Sequence, residues 1–185
     1  VKAAIDETHR NGLKACVHAT EYETAKLAVE AGADILVHSI DDKLLDEPFL
    51  QLLKTKNVTY IPTLQVYANY MRLRIQNFSF EPHDYKYANP FMLGSTMDLK
   101  HINPTVSGID YNYFRTVIKL PNAIDTILAK NLLFVSKAGI NVVAGTDAGN
   151  IGTHHGSSFL KELEMMKSAG LSEWEILKSC TINAA

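Results

Sequence analysis

The chain has little that would staple or anchor it. It holds two cysteines, Cys16 and Cys180, too few and too far apart for a disulfide framework or a CxxC pair. Cys16 falls inside a predicted strand, where a small apolar thiol is expected to be buried. No stretch approaches the ~18 uninterrupted apolar residues that a membrane span needs. Neither sign of charge dominates, since 18 Lys+Arg stand against 20 Asp+Glu for a net charge of −2. The basic footprint that nucleic acid or an anionic membrane requires is therefore absent, and neither partner is expected. An initiating Met and a closing cap are lacking too. Val1 runs straight into a helical pattern, and Thr181-Ile-Asn-Ala-Ala185 stops in helix-forming sequence. The expectation is a piece of a longer chain, with no compartment assigned.

What the chain does have is enough for one domain with a core: 185 residues, 46% hydrophobic and 21% charged. Its first half alternates helix and strand. Val1, Ala4, Ile5 and Thr8 recur at helical spacing before Asn11-Gly12, a stop signal. Residues 13–18 read as a strand. Thr20-Glu-Tyr-Glu23 reads as a capping box opening a helix that ends at Gly32. Residues 34–38 form a second strand, Asp41 or Asp42 opens a helix, and Asn57-Val-Thr-Tyr-Ile-Pro62 forms a third strand closed by its proline. From 63 to about 120 the rhythm breaks into an irregular insertion or lid holding most of the Tyr and Phe residues. Periodicity returns with a helix over Ile124–Val135, a fourth strand at 140–145, a helix near 157–169, and a last helix capped by Ser172-Glu-Trp-Glu175.

Strands alternating with helices predict βα units and a parallel α/β sheet. Two of these strands share one grammar: Gly12-Leu-Lys-Ala-Cys-Val-His18 and Gly32-Ala-Asp-Ile-Leu-Val-His38. The fourth ends in Gly145-Thr-Asp147. Parallel α/β folds build their sites at the C-terminal ends of their strands. Two imidazoles and a carboxylate delivered there are a candidate metal site, with zinc the first choice and manganese or iron alternatives. A metal-activated water with Asp147 as proton acceptor would hydrolyse an amide or ester. The plainer reading is that each strand-end His is a satisfied polar residue. Their common register and the Asp on a third strand favour the ligand set. Four strands are about half of an eight-stranded barrel, which needs about 250 residues.

Other groups carry weaker signals. Arg72, in Tyr67-Ala-Asn-Tyr-Met-Arg-Leu-Arg, suits a substrate carboxylate or a solvated helix face. The tyrosines of the insertion suit an aromatic wall or ordinary packing. His9, His83 and His101 are expected at the surface, as is one of His154 and His155.

Val17-His18-Ala-Thr, Val37-His38-Ser, Gly145-Thr-Asp147-Ala-Gly, His155-Gly156, Glu162-Leu, Gly170-Leu-Ser and Thr181-Ile-Asn-Ala-Ala together resemble the C-terminal half of the amidohydrolase superfamily. The subgroup most similar is the imidazolonepropionase-related hydrolases, with Xaa-Pro dipeptidase-like enzymes among them. The resemblance implies part of a TIM-like (β/α)8 barrel, about four of its βα units, spanning residues 1–185 with the insertion at 63–120. It implies His18 as the fifth-strand ligand and His38 as the sixth-strand ligand or substrate contact. Asp147 would be the eighth-strand ligand and general base, and Tyr60-Ile-Pro-Thr63 would close the seventh strand. His155 would lie near the substrate. Apart from the resemblance, the basic-aromatic stretch itself offers Tyr67 and Arg72 as candidate substrate contacts. The implied reaction is hydrolysis of an amide bond in a small molecule or short peptide. The family's first-strand His-x-His pair and fourth-strand Lys or Glu have no counterpart here. The chain is therefore expected to pair with a missing N-terminal half or to self-associate. The alternative is a non-catalytic half barrel, and a phosphoesterase or deaminase barrel fits the motifs less well.

Overall fold

The computed structural model describes residues 1–118 and 126–185. Its centre is a parallel three-stranded sheet in the order β1 (Cys16–His18), β2 (Ile35–Val37), β3 (Thr59–Ile61). In register, Cys16, Val17 and His18 pair with Ile35, Leu36 and Val37, which pair in turn with Thr59, Tyr60 and Ile61. α1 (Lys2–Arg10) precedes the sheet, and α2 (Tyr22–Glu30) and α3 (Glu47–Thr55) lie between its strands. This is the α/β alternation the sequence predicts. The middle row is the one the core covers, with Leu36 and Tyr60 fully buried and Ile35, Val37, Thr59 and Ile61 half-buried on the other face.

The chain divides into two compact units. The first is Val1–Leu64, Asn122–Gly145 and Leu163–Ala185, and the second is Gln65–Pro121 and Thr146–Glu162. The first unit holds the sheet, α1–α3, α9 (Ile127–Lys137) and α11 (Glu173–Ser179). Its core gathers Val29, Ile40, Phe49, Leu53, Val58, Leu132 and Val135 around Leu36 and Tyr60. At its heart sits a polar tie. Asn131, fully buried on α9, accepts from the Leu45 amide and donates to the carbonyls of Ile40 and Lys43, each at 2.9 Å. One side chain thus satisfies three backbone groups of the loop after β2.

Local caps decide several boundaries. Ser172 and Glu175 form the predicted capping box of α11. The expected Thr20–Glu23 box does not form. α2 begins after Glu21, and the Tyr22 amide is capped from afar by Asp42 Oδ1 at 2.9 Å. With Asp42 so engaged, α3 is capped instead by Asp46, whose carboxylate accepts from the Phe49 amide and from the Tyr22 hydroxyl. Burial, aided by that acceptor, pushes the Tyr22 phenol up to about 12. Cys16 is exposed, against expectation, because β1 is the sheet's edge and Cys16 points away from the covered row.

The predicted fourth strand at 140–145 is reduced to one bridge between Val142 and Tyr60. Its remaining groups are drawn toward the end of α11: the Ala144 amide bonds to the Ser179 carbonyl, and Asn183 Nδ2 bonds to the Val142 carbonyl. Ile124, which the sequence places at the head of the preceding helix, lies outside the described residues.

Residues 63–118 are helical where the sequence shows little periodicity. The helices are α4 (Leu64–Arg74), α5 (Pro82–Tyr87), α6 (Pro90–Thr96), a 3-10 turn (Asp98–His101), α7 (Pro104–Ser107) and α8 (Tyr111–Val117). Proline heads three of them, and Asn89, Asn103 and Asp110 cap α6, α7 and α8. α5 to α8, of four to seven residues, end before a 3.6-residue period can repeat, which is why the pattern hides them. α10 (Ser157–Ser168) completes the elements of the described residues.

Two outcomes follow. Asn131→Ala strands three backbone groups, those of Ile40 and Leu45 on buried residues, and urea unfolding should show a loss of ~2–3 kcal/mol. Asp34 Oδ2 accepts from the Ala15 amide and from His9 Nε2, both at 2.7 Å. Burial raises the Asp34 carboxyl, but the Ala15 and His9 bonds together with nearby positive charge outweigh it and hold it below its ordinary value. A carboxyl lowered on folding stabilises above its unfolded value and loses that contribution as pH falls through the folded one. Melting curves between pH 6 and pH 2 should therefore show a stability loss in the acid limb that is smaller in Asp34→Asn.

Candidate active site

The site begins with a break in a rule. Side chains alternate along a strand, so His18 and His38 should face opposite sides: His18 is in register with Val37, the residue before His38. The backbone ladder itself runs on past β2, with the His38 amide donating to the Ile61 carbonyl at 2.8 Å and the Ser39 amide to the Pro62 carbonyl at 2.9 Å. Between those two bonds His38 takes the left-handed conformation, φ 80°. Alternation is broken there, and the rings of His18 and His38 meet edge to face with centroids 4.4 Å apart and planes at 71°.

The loop that follows is fixed from below. The buried Tyr60 hydroxyl accepts from the Ile40 amide at 3.2 Å and donates to Ser39 Oγ at 3.0 Å, and Ser39 Oγ donates to the Leu128 carbonyl. Burial pushes this phenol up to about 12, against the opposing effect of its hydrogen bonds with Ser39 and Ile40. His38 Nδ1 is hydrogen-bonded to Thr63 Oγ1 at 2.5 Å. Thr63 is itself buried and left-handed, φ 44°. Gly145 is required nearby, because a Cβ there would lie 2.6 Å from Ile61 Cγ2.

Asp147, His155, Tyr67 and Arg72 belong to the second unit. Asp147 is exposed and left-handed, φ 54°, and its Oδ2 accepts from Asn150 Nδ2 at 2.8 Å. Tyr70 donates to Asn150 in turn. His155 is exposed, beside Gly149. Of the His154–His155 pair it is therefore His154 that is buried, and that burial lowers its imidazole despite the opposing charge of Asp84. Tyr67 is half-buried on α4. Arg72, also on α4, lines a cavity of about 80 Å³ with Gln65, Asn69, Phe78 and His154. Desolvation lowers its guanidinium. Sequence reasoning missed His154, Gln65 and Thr63. It also placed His83 at the surface, whereas its Nε2 is buried and, among the described residues, without a hydrogen-bond partner.

The donor set at the sheet end suits a divalent metal as far as it goes. Two imidazoles in contact are standard nitrogen ligands, and a ring fixed through its other nitrogen is the usual support for such a ligand. Among the described residues, no group of three or more His, Cys, Asp or Glu side chains is gathered to hold a metal ion. Two imidazoles fill half of a four-coordinate shell, so further donors are needed.

No family model matches the sequence, and no curated protein matches it. Solved structures do match its fold. A Xaa-Pro dipeptidase with bound methionine in its active site superposes with a TM-score of 0.62 at 18% identity, covering 100% of this chain and 36% of that one. A bottromycin amidohydrolase gives 0.59 at 17% identity, covering 99% and 42%. The ochratoxinase of A. niger gives 0.56 at 20%, covering 99% and 32%. The chain thus spans about a third of the length of the first of these structures, and the likeness is one of fold.

Tyr60→Phe tests the support beneath His38. It removes the acceptor of a buried amide, and chemical unfolding should show a loss of ~1–3 kcal/mol.

Proposed function

We propose that this chain is the C-terminal part, about four βα units, of a TIM-like metal-dependent hydrolase barrel, acting on an amide C–N bond of a small molecule or short peptide. The observation that carries the reading is the His18–His38 pair, brought together at the strand ends by a left-handed residue. Backbone strain of this kind costs on the order of 1–3 kcal/mol and collects at functional sites. The neighbours in fold, described as a dipeptidase and an amidohydrolase, support the amide-bond class.

In this reading His18 and His38 are metal ligands, with Asp147 as a further ligand and the general base. Zinc is the first choice, with manganese or iron as alternatives. A divalent ion bound there would polarise the scissile carbonyl and acidify the attacking water. Asp147 accepts the proton of that water and passes it to the leaving amine. Its hydrogen bond from Asn150 orients the carboxylate. Arg72 takes a substrate carboxylate, and His155 and Tyr67 contact the rest of the substrate. The half-buried outer rows of the sheet support pairing with an N-terminal half or with a second copy.

A second reading, a half barrel without turnover of its own, is favoured by the lack of a gathered three-residue ligand set among the described residues. Hydrolysis of a dipeptide and N-acyl amino acid panel by the zinc-supplemented chain separates the two. Turnover that falls ~100-fold or more in Asp147→Asn supports the hydrolase. Equal rates in that variant remove Asp147 as the base, and no turnover on any amide leaves the non-catalytic reading standing.

A further inference from the structure

We infer that Thr63 is a positioning residue for His38: its Oγ1 accepts from His38 Nδ1–H and so presents Nε2 as the ligating nitrogen. The inference rests on the reading of His38 as a metal ligand, and three observations carry it. The contact is short, 2.5 Å, between residues 25 apart in the chain. Both residues are left-handed, and for a β-branched threonine at φ 44° that conformation is a genuine outlier, held only where the surroundings over-determine it. The backbones on both sides are fixed, His38 and Ser39 by the carbonyls of Ile61 and Pro62, so the two side chains are aimed at each other by the ladder itself. Thr63 is also 2% exposed, so water does not compete for its hydroxyl.

An imidazole has two nitrogens, and the partner of one decides which lone pair the other offers. With Nδ1 bonded to an acceptor, the neutral ring is protonated at Nδ1 and basic at Nε2. Without an acceptor at Nδ1 that constraint on the tautomer is lost. Thr63 thus works through His38 and touches no substrate.

The test is made on the full chain with nitrogen-15-labelled histidine. Wild type is expected to show His38 as the Nδ1–H tautomer, and Nε2–H in wild type overturns the proposal without any variant. Thr63→Ser keeps the hydroxyl and should keep the tautomer. Thr63→Val keeps the shape and should lose it, with zinc affinity by calorimetry falling on the order of ten- to a hundredfold. A Thr63→Val protein with the wild-type tautomer, or a Thr63→Ser protein that behaves like Thr63→Val, also overturns it. If zinc does not bind wild type while the tautomer still follows Thr63, the positioning stands and the metal reading alone fails.

Discussion

The short ladder extension past β2 governs the candidate site. Parallel strands here hold only three residues each, and a sheet that short would ordinarily fray at its end. Instead the carbonyls of Ile61 and Pro62 keep pairing with His38 and Ser39. Pinning the amides on both sides lets one residue between them turn left-handed, and that turn brings two imidazoles that alternation would separate into edge contact. The buried Tyr60 hydroxyl and the Asn131 side chain then hold the next residues of the loop. Fold stability and site geometry therefore draw on the same few polar groups.

Among the described residues, five other than glycine have positive φ: His38, Asn57, Thr63, Gln76 and Asp147. Asn57 and Gln76 follow directly on the ends of α3 and α4, where a left-handed residue is an ordinary helix stop. The remaining three all follow the strand-like segments the sequence singles out. Strain at helix stops needs no further reason, whereas strain at a histidine, a buried threonine and an aspartate does.

Much of this was legible in the chain. The βα rhythm of residues 1–62, the Gly-to-His spacing and the Ser172–Glu175 box all rest on local patterns, and local patterns survive folding. What failed depended on partners far away in sequence. Asp42 capping Tyr22, which leaves the α3 cap to Asp46, and Ser179 and Asn183 drawing off the 140–145 segment are long-range hydrogen bonds that no periodicity reports. Thr63 escaped notice because a Thr after a proline carries no signal of a left-handed turn. The helices α5 to α8 escaped because each is too short to show a period.

The account's central claim is that His18 and His38 act as one pair of ligands. Imidazole nitrogen shifts followed during a zinc titration of the chain test it most directly. The account predicts that both rings shift with one shared midpoint, and that His38→Ala weakens the response of His18. Rings that titrate at separate midpoints, or His18 unaffected by the loss of His38, would contradict it.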